Sequence, residues 1–373
     1  MTAAGSRGPG SGAGTAADGF VHDLPGARVV FAAGARHRLP EETARLGLRR
    51  VLFVGGDGPL RRTAGELVAA LGGTVAARID EVVQHVPAAE AAAAVRTARR
   101  CGADGLVALG GGSATGLAKA VALEMGLPVL AVPTTYAGSE MTDIWGRTDD
   151  HAKTTGRDPR VRPRTVIYDV ELTLGMPAAL TAASGLNALA HCAEAAYDPA
   201  AGPVVRLLAV EGARALAAGL PDAVARGRDL AARAETLYGA WLAGTALGAA
   251  RMGVHHSLCH LLGGAFALPH AETHAVVLPH AIAFNRQAAR AALAPLDRAL
   301  GAGPGGSAAA LWDLGRRVGV PRSLAELGLS REDALRTAEA LGARAVTNPR
   351  PVGPGDAREL VLAAYHGLRP ATG

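Results

Sequence analysis

Short apolar runs of β type alternate with Ala-rich stretches of helical spacing from about residue 20 to residue 169, and beyond about residue 177 the β-type runs stop. In the first half Val51-Leu52-Phe53-Val54, Gly105-Leu106-Val107-Ala108-Leu109 and Pro128-Val129-Leu130-Ala131-Val132 read as strands, with helices predicted over 61–71 and 114–125. Strands alternating with helices in this way indicate a parallel sheet covered by helices. The expected fold class is therefore a doubly wound α/β unit followed by an all-α unit, because the Ala/Leu stretches 204–218 and 231–250 keep a helical period. The predicted division is a disordered tail at 1–19, a dinucleotide-binding α/β domain at 20–176 and an all-helical catalytic domain at 177–370. Gly301-Ala302-Gly303-Pro304-Gly305-Gly306 is read as a loop between helices.

Composition narrows the class. At 373 residues the chain has room for two cores. It contains no run of about 18 apolar residues, the length a membrane-spanning helix needs, and its first residues lack the apolar centre of a secretory signal. Cys101, Cys192 and Cys259 are few and widely spaced, which fits reduced thiols in a cytoplasmic protein. The net charge of +5 is carried by Arg, with Lys only at Lys119 and Lys153. A mild positive charge suits anionic small molecules, and no basic stripe interleaved with aromatic residues points to nucleic acid.

Two polar turns and a histidine cluster carry the candidate chemistry. Gly110-Gly111-Gly112-Ser113 joins a predicted strand to a predicted helix, where glycines let backbone N–H groups approach a phosphate at the positive helix end. It is not GxGxxG, which disfavours an ordinary Rossmann dehydrogenase. Pro133-Thr134-Thr135-Tyr136-Ala137-Gly138-Ser139-Glu140 follows the next strand and is expected at the same carboxyl edge. Gly55, Gly56, Gly111, Gly112, Ser113, Thr134, Thr135 and Ser139 are the expected cofactor contacts. Half of the chain's histidines then fall between His255 and His280, and His191 stands upstream in Asn187-Ala188-Leu189-Ala190-His191. Imidazole binds metals, moves protons and donates hydrogen bonds to oxyanions. Asn187 and His191, like His256 and His260, are four apart and project from one helix face.

These turns, together with His255-His256-Ser257-Leu258-Cys259-His260 and Leu268-Pro269-His270-Ala271-Glu272-Thr273-His274, resemble the iron-containing alcohol dehydrogenase superfamily over about residues 20–367. With the string from Thr155 to Asp169, they are similar to its maleylacetate reductase branch. The resemblance implies NAD(P)H-dependent reduction of the C=C bond of maleylacetate to 3-oxoadipate in aromatic-compound degradation, by a cytoplasmic homodimer. Alcohol dehydrogenases of the superfamily hold a divalent metal with one Asp and three His. That pattern maps onto Asn187, His191, His256 and His270, and a neutral carboxamide is a poor ligand, so no metal is expected. His191, His256 and His270 are assigned to the ketone oxygen, His260 to protonation of carbon, and Asn187 to substrate positioning, whereas His255, His274 and His280 are read as structural. Lys153, Arg157 and Arg160 are the expected partners of the substrate carboxylates, in a string that continues through Arg162 and Arg164. Gly116 stands where the superfamily usually has an Asp, so NADPH and NADH are both expected to serve. The alternatives are a metal-dependent alcohol or aldehyde dehydrogenase of the same superfamily and a dehydroquinate synthase-like lyase.

Overall fold

The computed structural model describes residues 26–84, 86–149 and 152–371, without the side chains of 149, 152 and 153; the expected tail at 1–19 lies outside the described residues. Its first part is a six-stranded parallel sheet in the order β1-β8-β5-β4-β2-β3. The strands are β1 (Arg28–Ala32), β2 (Val51–Gly55), β3 (Val75–Ile79), β4 (Gly105–Gly110), β5 (Val129–Pro133) and β8 (Thr165–Asp169). α1 (Leu39–Arg45), α2 (Arg61–Leu71), α3 (Ala88–Arg100) and α4 (Gly112–Met125) cover it. Val51 and Phe53 join Leu39 of α1 and Leu67 of α2, whereas Leu52 and Val54 join Ala91 of α3 and Leu117 of α4, so alternate residues of one strand feed two layers. Every residue of β2, β4, β5 and β8 is buried, as a sheet covered on both faces requires.

Register decides where the two polar turns emerge. Gly55 pairs with Leu109, and Gly110 with Pro133, so the turns after β2, β4 and β5 leave the sheet side by side at its carboxyl edge. An antiparallel hairpin, β6 (Ile144–Asp149) with β7 (Ala152–Arg157), is an addition to the expected alternation. It includes part of the segment read above as a string of substrate-binding cations.

From residue 178 onward the described chain is helical, built from α5 (Ala178–Tyr197), α6 (Pro203–Ala225), α7 (Leu230–Ala249), α8 (Val254–Phe266), α9 (His270–Asn285), α10 (Arg290–Ala299), α11 (Ser307–Arg317), α12 (Arg331–Gly342) and α13 (Pro354–His366). α5 is the axis of this part: every residue from Thr181 to Tyr197 is buried, and it packs against α6, α7, α9 and α10. The turn after β5 reaches α7 where two glycines meet. Gly138 is left-handed, with φ 78°, and a Cβ on Gly244 would stand 2.7 Å from its carbonyl oxygen and 2.8 Å from its Cα. No side chain fits between these backbones.

Gly244→Ala is therefore expected to destabilise the protein by about 1–3 kcal/mol, the usual cost of overpacking a rigid contact, read as a lower denaturation midpoint. An unchanged midpoint would show that the contact is loose.

Candidate active site

α5 places Asn187, His191 and Glu194 at i, i+4 and i+7, one stripe on a helix with no exposed face at that point. Glu194 is wholly buried and gathers donors from the start of α8. Its Oε2 accepts from Gly253 N–H at 3.0 Å and lies 2.6 Å from His256 Nδ1, while its Oε1 accepts from His255 N–H at 3.0 Å and Tyr197 O–H at 2.6 Å. Burial alone would raise this carboxyl, but the hydrogen bond and charge of His256, with help from His255 and Tyr197, hold it down at about 2. The His256 ring stacks on His191 with centroids 5.2 Å apart and planes 27° apart.

Asn187 Oδ1, His191 Nδ1 and His256 Nε2 are buried with no protein partner, as are His255 Nδ1 and His274 Nε2 behind them. A buried polar atom left unsatisfied costs about 1–3 kcal/mol, so several on neighbouring side chains mark a place built for a ligand. His260 and His270 lie at the exposed side, with the His260 ring 6.2 Å from that of His256 and the His270 ring 4.4 Å from that of His274. The spaced histidines are thus brought into one cluster. His255 and His274 belong to it too, as a layer behind His256: both are buried, with His255 Nε2 2.9 Å from His274 Nδ1. Cys259 Sγ is 3.9 Å from His255 Nε2, and the three donor atoms lie within 4.8 Å of one another, but the two imidazoles already share a proton. His280 is buried elsewhere on α9, against Phe284 and Arg350.

The cofactor side forms where the turns emerge from the sheet. Gly111 is the N-cap of α4 and supplies no side-chain cap, which leaves the positive end of a 14-residue helix open to an anion. A Cβ there would come within 3.1 Å of Thr135 Oγ1, so the backbone of this turn lies against the second one. Gly112 and Ser113 begin α4, and Thr134 N–H donates to Gly110 C=O at 3.0 Å. These features fit a dinucleotide pyrophosphate. Gly55 and Gly56 have a reason that holds with or without one: at positive φ, their Cβ atoms would run into Leu109 C=O at 2.1 Å and the Ala64 Cβ at 2.3 Å. Ser139 Oγ is buried without a partner, and its carbonyl accepts from Lys119 Nζ at 2.6 Å. Lys119 also donates to the carbonyls of Thr142 and Ile144, so this buried ammonium, pushed down to about 7 by burial, clamps the segment that ends the second turn. The two sides meet at Gly138, where a Cβ would lie 3.4 Å from His191 Nδ1.

The expected carboxylate-binding arginines are already engaged within the protein. Arg157 donates to Asp143 at 2.9 Å and to the carbonyls of Leu247, Gly248 and Ala250, which ties the hairpin to the end of α7. Arg160 is held by Asp158 two residues away, and Arg162 reaches Asp143 at 3.1 Å. Neither Arg157 nor Arg160 is the open fork that the sequence suggests, because local acids and helix-end carbonyls engage them first. Lys153 lies on β7, and its side chain is outside the described residues. Glu194 is the site residue that sequence reasoning missed. The signal was present: it is the one Asp, Glu, Lys or Arg in the 20 residues of α5, three positions after His191.

Residues 26–170 match the family described as iron-containing alcohol dehydrogenase, and residues 181–365 match the Fe-containing alcohol dehydrogenase family, C-terminal. The chain is 49% identical over 355 residues to maleylacetate reductase of Burkholderia cepacia, covering 94% of this chain and 99% of that one. It is 50% identical over 353 residues to maleylacetate reductase 2 of Cupriavidus pinatubonensis, covering 94% and 98%. Among solved structures it is similar to maleylacetate reductase from Rhizobium sp., with a TM-score of 0.90 and 46% identity over 94% of this chain and 99% of that one.

The buried imidazoles also set a pH dependence. Burial pushes His255 down to about 3 and His280 to about 4 from an ordinary 6.5, and holds His191 and His274 well below that value. Below pH 6.5 the unfolded chain binds protons that the folded one refuses, so the stability these groups contribute is complete above 6.5 and is lost as the pH falls towards their folded values. Each adds up to about 1.4 kcal/mol per pH unit. The unfolding midpoint is expected to drop between pH 6.5 and 4, less steeply in His280→Asn; a flat profile across that range would contradict neutral buried imidazoles.

Proposed function

The chain belongs to the iron-containing alcohol dehydrogenase family, and we propose that it reduces the carbon–carbon double bond of maleylacetate to 3-oxoadipate with NAD(P)H, a step in the breakdown of aromatic compounds. The convergence of Asn187 Oδ1, His191 Nδ1 and His256 Nε2 without protein partners is the observation that carries this reading. It supplies a hydrogen-bonding place beside the Gly138 turn, where the imidazoles can donate to a ketone oxygen and Asn187 Oδ1 can accept from another group of the substrate. The near-full-length relatives at 49% and 50% identity, each a maleylacetate reductase, supply the substrate.

NAD(P)H, when bound, supplies the hydride, which adds to the alkene carbon β to the ketone. The open end of α4, with Gly111, Gly112 and Ser113, would hold its pyrophosphate, and Thr134, Thr135 and Ser139 would hold the remainder. Hydride addition pushes an electron pair through the former double bond onto the ketone oxygen, giving an enolate. His191 and His270 donate to that oxygen, as does His256 when, paired through Nδ1–H with the Glu194 carboxylate, it also carries a proton on Nε2; Asn187 positions the substrate, and His260 delivers a proton to the carbon between. Its exposed position lets it recover that proton from water. Each well-aimed donor to an oxyanion is worth about 3–4 kcal/mol elsewhere. That suffices for an enolate, whose charge is shared with carbon, where an alkoxide calls for a Lewis acid.

A divalent ion in the position the family's alcohol dehydrogenases use would meet the Asn187 carboxamide in place of a carboxylate. Glu194 does not substitute for that carboxylate, since its oxygens are engaged by α8, His256 and Tyr197. The residues do not reproduce the one-Asp, three-His set, and the chemistry above is assigned to side chains alone. Either cofactor is accepted: Gly116 offers no acid to repel a 2′-phosphate, and the charge of Asp57, at the end of β2, is matched by Arg61 at 3.0 Å. We place dinucleotide binding in 20–176 and catalysis in 177–370 of a homodimer, and its free cysteines support a cytoplasmic setting.

The purified protein is expected to oxidise both NADH and NADPH when maleylacetate is added, at a rate that chelator does not change. Loss of turnover on chelation would overturn the metal-free account, and no turnover with maleylacetate would overturn the substrate. His191→Ala is expected to lower kcat by about 10²–10³-fold, measured under saturating cofactor.

A further inference from the structure

The N-cap of α8 is Gly253, which has no side chain to cap the helix. The backbone donors that every helix leaves unpaired at its start are met here by residues from far along the chain. Glu194 takes Gly253 and His255, with His256 N–H at 3.4 Å, and Asn348 Oδ1 takes Val254 at 3.3 Å. Asn348 is fixed in turn by Asn285 and by the Arg350 carbonyl. A Cβ on Gly253 would stand 2.9 Å from Asn348 Oδ1 and 3.0 Å from Glu194 Oε1, so the glycine is what lets both caps approach. The two caps differ in one respect. The same Glu194 oxygen that holds the Gly253 N–H also holds Nδ1 of His256, whereas Asn348 meets α8 through the Val254 backbone N–H.

We propose that Glu194 is a positioning residue for the reduction: by capping α8 in trans and accepting from His256 Nδ1–H, it fixes the ring orientation of His256 and leaves Nε2 as the nitrogen offered to the substrate oxygen. The proposal rests on the reading of the site given above. A cap alone would need no contact to the ring. Here helix start and imidazole are registered on one oxygen, so the ring cannot turn over about its Cβ–Cγ bond without losing a 2.6 Å hydrogen bond. The second nitrogen is then the unpartnered Nε2, beside His191. Carboxylates that orient a functional imidazole through its other nitrogen commonly carry about 10–100-fold in activity.

Glu194→Gln and Asn348→Ala separate positioning from capping. Both remove part of the α8 cap and are expected to lower the unfolding midpoint. Glu194→Gln alone is expected to lower kcat for maleylacetate by about 10–100-fold, with the NADH dissociation constant within about twofold of the parent protein. In ¹⁵N-histidine-labelled protein, His256 is expected to show a strongly deshielded Nδ1–H proton that Glu194→Gln weakens or abolishes and Asn348→Ala retains. Parent-like kcat in Glu194→Gln, or an equal loss in Asn348→Ala, would reduce Glu194 to a structural cap. Should Glu194→Gln fail to fold, the parent spectrum decides: a His256 protonated on Nε2 alone would overturn the proposal. An inactive parent protein would sink the substrate reading and leave the imidazole spectrum to judge Glu194 by itself.

Discussion

A helix buried along its whole middle cannot carry a polar stripe unless each polar group has a partner. α5 carries three, Asn187, His191 and Glu194, and the way Glu194 is satisfied shapes the rest of the site. An uncompensated buried carboxylate would cost several kcal/mol. The start of α8 compensates it with backbone N–H groups, the Tyr197 hydroxyl and the His256 imidazole. That interaction sets where α8 begins, and His256 is its third residue. Once it is made, Asn187 and His191 remain as the unsatisfied part of the stripe, and their open atoms face the chemistry.

The sheet contributes by constraint of a different kind. Parallel register brings the turns after β2, β4 and β5 to one edge, and small residues let their backbones crowd together. The turn after β5 then leans on α7 through Gly138 and Gly244, which brings the loop proposed to bind cofactor against His191. On the proposed reading, hydride donor and oxyanion donors are held by different parts of the chain and fixed to each other through the Gly138–Gly244 and Met141–Gly248 approaches and the Tyr136 N–H bond to Ser184 Oγ. Lys119 tightens the arrangement from below, an ammonium coordinated by carbonyls in the manner of a bound cation.

Much of this was legible in the residues. The runs at 51–54, 105–109 and 128–132 are wholly apolar because their strands are covered on both faces, and the period of 61–71, 204–218 and 231–250 is helical because one side of each helix is buried more than the other. The spaced histidines were legible through their i, i+4 geometry. The β6–β7 hairpin was not, because Thr, Arg and Lys alternate there without an apolar face long enough to announce a strand. The partners of Arg157 and Arg160 were hidden for a related reason. A charge run shows its cations, but their partners, Asp143 and the last carbonyls of α7, come from other elements. Glu194 and the His255–His274 pair depend on contacts across 59 and 19 positions, which no local period encodes.

The central claim is that this site stabilises an enolate, so hydride must go to carbon of the alkene and not to the ketone. Turnover of maleylacetate with nicotinamide cofactor deuterated at the transferred position locates that hydride directly. The account predicts a product that keeps its ketone and carries one deuterium on the methylene β to it, seen by ²H or ¹³C spectroscopy. Deuterium on a carbinol carbon, with the double bond intact, would mean that the site reduces a carbonyl and would contradict the account.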